Sequence, residues 1–282
     1  MRRLIVAAAL FAGVAFAAEQ NDVEFARPGG FSLTLDYKIP DGDGPFPAAI
    51  IVHGGGWAHG NKRMYVTPLF DVLAGAGFGW FTINYRLAPA YQFPAAVEDV
   101  ESAVRWVKSN AAKYKVDTSR IVLLGESAGG YLVAYVGAHP SSRDARVRAV
   151  VDFYGPNDLL IETEKLRSQP FDPAKPRPGL LDFLGFHTWQ DAGAVEKLHD
   201  TSPQNLVNRD MPPFLFIHGT ADEMVPYEQS PNMCAAMKKV SVPCEVIAVE
   251  GGRHGMENWE KNAAMTHWKT EMVAWLQRTL GR

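Results

Sequence analysis

The chain is short of the features that mark most specialised protein classes. It has 282 residues but only two cysteines, Cys234 and Cys244. Ten positions apart, they match no zinc-binding pattern of paired Cys and His. Net charge is −3 with the charges interspersed. No basic block suits nucleic acid, and no polybasic stretch suits an anionic lipid surface. There is no H-E-x-x-H, no Asp-rich calcium loop and no G-x-G-x-x-G opening a βαβ unit. These absences lead us to expect neither a metal nor a cofactor. Beyond the N-terminus, no apolar run reaches the roughly 20 residues of a membrane-spanning helix without a charge or a proline.

The N-terminus itself is distinctive. Met1-Arg2-Arg3 is basic, Leu4 to Phe16 is almost purely apolar, and Ala15-Phe16-Ala17 fits the small-x-small cleavage rule. That order predicts a secretory signal over residues 1–17, cut after Ala17, and a secreted or periplasmic protein. The apolar run of about 13 residues is too short to cross a bilayer; an uncleaved anchor is the alternative. In an exported chain, Cys234 and Cys244 read first as a disulfide, with two buried thiols as the alternative.

The remaining chain, residues 18–282, reads as a single α/β domain. Continuous apolar runs at Ala48–Val52, Gly79–Ile83, Ile121–Leu124, Val147–Phe153 and Phe214–Ile217 suit strands buried on both faces. Glu245–Val249 is a further strand. Helices are expected from Pro94 (Val97, Val100, Val104 and Val107 on one face), after Ser127, over Pro231–Lys239 and over Thr266–Leu280. Asp117-Thr-Ser-Arg120 reads as a turn. Alternating strands and helices predict an α/β fold with a doubly wound, mainly parallel central sheet. Its ligands would bind beyond the carboxyl ends of the strands. Residues 157–213 break the rhythm. They carry Pro170, Pro173, Pro176 and Pro178, no convincing strand, and the large apolar residues Phe171, Phe183, Leu184, Phe186 and Trp189. This is expected to be a cap or lid insertion, since a disordered linker would be less aromatic.

Gly125-Glu126-Ser127-Ala128-Gly129 is a G-x-S-x-G pattern with strand before and helix after. In that setting the serine sits on a sharp turn with its hydroxyl exposed, which marks Ser127 as the nucleophile. His53-Gly54-Gly55-Gly56-Trp57 follows an earlier strand and suits a loop of backbone donors for an oxyanion. Gly55, Gly56 and Ala128 are the expected donors, with Gly54 or Trp57 able to replace one from the loop. The base should come last in the chain and the acid between. His254, in the glycine-rich turn after Glu245–Val249, is the expected base. His139, His187, His199, His218 and His267 fit less well: His267 falls within the last helix and His218 serves better as support for its own loop. Asp222, after Phe214–Ile217, is the expected acid, with Glu223 and Asp158 as alternatives. Glu126 reads as a buried hydrogen-bond partner beneath the turn. Trp57, Phe186 and Trp189 are candidates to line a substrate pocket; equally, some of them pack the cap.

These motifs resemble the α/β-hydrolase superfamily over essentially the whole chain after residue 17. His53–Trp57, with Asn84-Tyr-Arg-Leu-Ala-Pro89 and Phe93-Pro-Ala-Ala-Val-Glu-Asp99, resembles hormone-sensitive-lipase-like carboxylesterases. That resemblance also implies Gly55, Gly56 and Ala128 as the oxyanion hole. The N-terminus departs from that branch, because only about 30 residues, read as strand rather than helical cap, separate the signal from the glycine loop. Pro213-Phe-Leu-Phe-Ile-His-Gly-Thr-Ala-Asp222 and Pro226-Tyr-Glu-Gln-Ser230 look more like bifunctional feruloyl and acetyl-xylan esterases. The expectation is a serine carboxylesterase acting on small acyl esters, free or linked to polysaccharide. It would need no nucleic-acid partner and, after signal cleavage, no membrane. An amidase or peptidase, a lipase and a non-catalytic binding protein are the competing readings.

Overall fold

A computed structural model describes residues 18–168 and 179–281. The signal expected over 1–17 lies outside the described residues, as do Pro170, Phe171, Pro173, Pro176 and Pro178 of the expected cap.

In chain order the elements are β1 (Ala18–Ala26), β2 (Leu33–Ile39), β3 (Phe46–Val52), α1 (Pro68–Gly75), β4 (Gly79–Ile83), α2 (Ala95–Ser109), β5 (Val116–Glu126), α3 (Ala128–Ala138), β6 (Ala149–Phe153), α4 (Leu159–Arg167), α5 (Gly179–Leu184), α6 (Ala194–Asp200), β7 (Phe214–Gly219), α7 (Gln229–Lys239), β8 (Cys244–Val249), α8 (Met256–Trp259) and α9 (Trp268–Leu280). The eight strands form one sheet in the order β1-β2-β4-β3-β5-β6-β7-β8. β1 and β2 pair antiparallel, as do β2 and β4, and every other pairing is parallel.

The apolar runs are continuous because both faces of the sheet are covered. Along β3, Ala48, Ile50 and Val52 enter the layer beneath α2 and α3, while Ala49 and Ile51 enter the layer beneath α1 and α9. Successive strand side chains point to opposite faces, so two buried faces demand an unbroken apolar run. Val97, Val100, Val104 and Val107 of α2 are all buried in the first layer, worth about 1.5–3 kcal/mol each when fully buried. Trp268, Met272, Trp275 and Leu276 of α9 seal the second.

Two local expectations change. Asp117–Arg120 lies inside β5 rather than in a turn. The turn chemistry is present, since Asp117 accepts from the Ser119 N–H (2.9 Å) and from Arg120 Nε (2.6 Å). It is absorbed as an irregularity in the β3–β5 register between Phe46 and Ala48. His267 precedes α9 instead of lying within it, and pairs with Glu271 at 2.7 Å. Cys234 on α7 and Cys244 at the start of β8 form a disulfide.

The strand order places the site. β3 and β5 are neighbours whose following connections run in opposite directions, to β4 on one side and to β6 on the other, and a crevice opens where the winding reverses. The loops after β3 and β5 meet there. Between β6 and β7 the chain runs through α4, α5 and α6, with no strand among the described residues. Among the described residues no helix is long and apolar enough to cross a membrane.

Candidate active site

β5 ends at Glu126 and α3 starts at Ala128, leaving Ser127 alone to turn the chain, with φ 54° and ψ −120°. A non-glycine residue at such an angle carries strain, held here by its surroundings. The Ser127 N–H donates to the Phe153 carbonyl (2.9 Å), and its own carbonyl accepts from Tyr131 N (3.0 Å). The flanking glycines are a steric requirement. A Cβ on Gly125 would run into the Gly129 carbonyl, and one on Gly129 into the Val52 carbonyl. Strand, helix and neighbouring strand therefore close to backbone contact, and the half-buried Ser127 hydroxyl is presented at the sheet edge.

His254 follows β8 and reaches back across the edge. Its Nε2 lies 3.0 Å from Ser127 Oγ and its Nδ1 2.7 Å from Asp222 Oδ2. Nδ1–H donates to the carboxylate, which leaves Nε2 free to accept from the hydroxyl. The Tyr154 ring packs edge-on against the imidazole at 4.8 Å, and Asn258 Nδ2 donates to the His254 carbonyl at 2.7 Å. Asp222 follows β7. Its Oδ1 accepts from the N–H groups of Met224 and Val225, both at 2.9 Å. A second imidazole, from the buried His218, stands 3.4 Å from Oδ2. Burial alone would raise the Asp222 carboxyl. Hydrogen bonds from His218 and His254, the His254 charge and the Val225 N–H outweigh it and hold the group well below the usual carboxylate range. His218 is fixed in turn by Ser230 Oγ (2.8 Å) and the Val225 carbonyl (3.1 Å), in keeping with a role of support for its loop.

The alternatives fall elsewhere. Glu223 is exposed and pairs with Arg253. Asp158 caps α4, accepting from Leu160 and Ile161 N–H. His139 ends α3, and His187 and His199 are exposed.

The glycine loop after β3 is fastened from below. His53 is buried, stacks on Tyr85 (4.3 Å) and donates from Nδ1 to the Gly54 carbonyl (2.7 Å). Burial pushes its pKa down to about 4, so the ring is neutral. The Gly54 N–H donates to Glu126 Oε1. That bond removes Gly54 from the possible oxyanion donors. The N–H groups of Gly55, Gly56, Trp57 and Ala128 meet no protein acceptor among the described residues. Gly55 has φ 103°, and a Cβ there would strike the His59 carbonyl. Burial pushes the Glu126 carboxyl up to about 7, against the His254 charge and hydrogen bonds from Gly54 and Tyr154.

The residues of the Asn84–Pro89 and Phe93–Asp99 motifs act one step further out. Asp99 accepts from the Arg86 N–H (2.8 Å) and Nε (2.9 Å), clamping the segment after β4 to α2. Of the expected pocket residues, Trp57 is buried and stacks on Phe183 of α5 at 5.1 Å. Trp189 is buried as well, and Phe186 is half-buried against the same core. Packing accounts for most of each ring. The mouth beside the triad is lined by Glu223, Met224, Arg253, His254 and Asn258. Tyr154 and the His218–Asp222 contact were not anticipated. The available signal was their position at the carboxyl ends of β6 and β7.

A nucleophile, a base in hydrogen-bond reach, an orienting acid and free backbone donors together suit acyl transfer. The family model BD-FAE matches residues 35–237. Esterase LipC of Mycobacterium tuberculosis is 32% identical over 226 residues, which cover 76% of this chain and 54% of that protein. The chain spans about half the length of the first curated relatives it matches. A truncated carbohydrate esterase from gut microbiota superposes with a TM-score of 0.80 at 27% identity, over 96% of this chain and 99% of the other. An acetyl ester-xyloside bifunctional hydrolase from Caldicellulosiruptor lactoaceticus gives 0.74 at 26% identity, over 89% of each. With the family model covering well over half of its length and the eight-stranded sheet matching these esterases, the chain belongs to the BD-FAE family and has the α/β-hydrolase fold.

Proposed function

We propose that the protein is an exported serine carboxylesterase that removes small acyl groups, such as acetyl or feruloyl, from hydroxylated carriers including plant polysaccharide. The unbroken series Asp222–His254–Ser127 carries this reading, at 2.7 and 3.0 Å. Export rests on the signal-like order of residues 1–17. The sugar-ester substrate is supported by the likeness to a carbohydrate esterase and to an acetyl ester-xyloside hydrolase. In this reading residues 157–213 form the cap.

His254 takes the Ser127 proton as the oxygen attacks the ester carbonyl. Asp222 keeps the imidazole in the correct tautomer and stabilises its charged form. Two or three of the free N–H groups of Gly55, Gly56 and Ala128 receive the oxyanion, each worth about 2.7–4 kcal/mol in the transition state. His254 then gives its proton to the departing alcohol. Water, deprotonated by the same imidazole, attacks the acyl-enzyme, and Ser127 leaves with the proton restored.

The test is a substrate panel: p-nitrophenyl acetate to laurate, methyl ferulate and acetylated xylan, with Ser127→Ala as control and a fluorophosphonate as label. Short esters and acetylated xylan should be cleaved by the wild type and not by the variant, and only the wild type should take the label. Ester hydrolysis that survives Ser127→Ala would sink the assignment. Comparing an acyl ester with the matching anilide separates an esterase from an amidase.

A further inference from the structure

Glu223 and Met224 follow Asp222 in the chain, and Arg253 precedes His254. Arg253 Nη2 donates to Glu223 Oε2 at 2.6 Å, which bridges the loop after β7 to the loop after β8. Together with Met224, His254 and Asn258 they line an open cavity of about 270 Å³. His254 is therefore one wall of a space that solvent and substrate can enter. The proton relay uses none of the other four side chains.

The backbone that carries them is held in place. The N–H groups of Met224 and Val225 donate to Asp222 Oδ1, both at 2.9 Å. The Arg253 carbonyl accepts from Trp259 Nε1 at 2.7 Å, and Asn258 Nδ2 donates to the His254 carbonyl at 2.7 Å. The side chains themselves stay accessible. Arg253 and Glu223 are 68% and 73% exposed in the side chain, and Met224 is 68% exposed. A lone exposed apolar side chain is ordinary on a protein surface. This one stands on the wall of a cavity at the base of the triad, where it gives an adaptable apolar contact.

We propose that Glu223, Met224, Arg253 and Asn258 form a subsite for the alcohol part of the ester, and that the alcohol it takes is a neutral sugar ring. The inference rests on the reading above that His254 protonates the departing alcohol. That step puts the alcohol on the imidazole side of Ser127, which is the side this cavity occupies. A sugar ring presents hydroxyls around its rim and C–H groups on its face. Arg253 supplies donors and Glu223 acceptors for the rim, and Met224 meets the face. The pair carries no net charge, so a neutral ring suits it better than an anionic or cationic one. An ion pair this exposed is worth little by itself, so hydroxyls can bridge it or part it at small cost.

The probes are a monoacetate of methyl xyloside and cyclohexyl acetate, which share a six-membered ring and differ in hydroxyls. The readout is the ratio of their kcat/KM values, in which changes in folded fraction or in the triad cancel. The wild type should favour the sugar ester. Arg253→Met should lower the ratio about tenfold and Glu223→Gln about fivefold. Glu223→Gln also leaves Arg253 without its partner. At about 0.15 M salt it should move preference about fivefold towards a monoacetate of the anionic methyl glucuronoside. Met224→Ala should raise KM for both ring esters about threefold. Ratios that stay put in Arg253→Met and Glu223→Gln, whether the rates hold or fall together, would overturn the subsite. A wild type that cleaves both esters equally through Ser127 would also overturn it and leave the esterase reading standing. Cleavage of neither ester, or cleavage that survives Ser127→Ala, would break that reading and the subsite with it.

Discussion

The backbone N–H of Gly54 donates to the Glu126 carboxyl, joining the loop that follows β3 to the residue immediately before Ser127. The bond links two segments 72 positions apart in the chain. It sets the glycine loop against the elbow, so the free N–H groups of Gly55 and Gly56 and the Ser127 hydroxyl share one reference point. Glu126→Ala should lower kcat by about 10²-fold through misplaced donors, with KM little changed. Glu126→Gln should stay close to wild type, because the amide oxygen can still accept. Steady-state kinetics on p-nitrophenyl acetate checks both.

The same carboxyl makes a prediction about stability. Its folded pKa is raised from 4.5 to about 7 by burial. The folded state therefore keeps a proton that the unfolded chain releases, and this contribution, complete below pH 4.5, is lost as pH rises through 7. The full span is about 3 kcal/mol. Glu126→Gln has no proton to lose, so its stability relative to wild type should rise between pH 5 and pH 8 in urea titrations.

His53 runs the other way. Burial lowers its pKa from 6.5 to about 4. The unfolded chain takes up a proton in that window and the folded chain does not, so the contribution present above pH 6.5 is lost as pH falls towards 4. His53→Gln should be less stable than wild type at pH 7.5. The gap should narrow by about 3 kcal/mol by pH 4. A gap that stays constant with pH would refute the neutral buried imidazole.

Asp222 meets two imidazoles, and only one of them reaches Ser127. Asp222→Asn should cost about 10⁴-fold in kcat by favouring the wrong His254 tautomer. His218→Asn should cost far less, about tenfold, because the N–H groups of Met224 and Val225 still hold the carboxylate. Equal losses from the two substitutions would place His218 in the proton path.

The Cys234–Cys244 bond closes a loop of ten positions between α7 and β8. Replacing both residues by serine should cost about 2–3 kcal/mol, since a short loop gains little from cross-linking. In a chain of this size that lowers Tm by about 5–10 °C. The triad loops follow β7 and β8 rather than the linked ends, so kcat at 25 °C should be unchanged.

Much of this site is legible in the sequence because its chemistry is punctuated by glycine. Gly125 and Gly129 mark where backbones touch, and Ser127, Asp222 and His254 each follow a continuous apolar run that can be read as a strand. That the Gly54 N–H is already engaged is not legible, because it turns on the bond it gives to Glu126, 72 positions away in sequence. The role of Tyr154 is hidden for a similar reason: its hydroxyl accepts from Met256 N–H at 2.8 Å, across 102 positions. Asp117–Arg120 carries real turn chemistry, yet pairing of Val116 with Phe46 draws it into a strand. Trp57 and Trp189 look like pocket residues in a list of aromatics; only packing reveals how little of each ring is open.

Gly125, Gly129 and Val52 meet backbone to backbone, so no side chain can be added on the floor beneath Ser127 without moving the sheet. If residues 157–213 form a cap as proposed, variation that preserves the reaction falls on α4, α5 and α6, with Gly179 excepted because a Cβ there would strike the Gly56 carbonyl. A library aimed at new esters should therefore leave the glycines alone and randomise the other positions of these three helices.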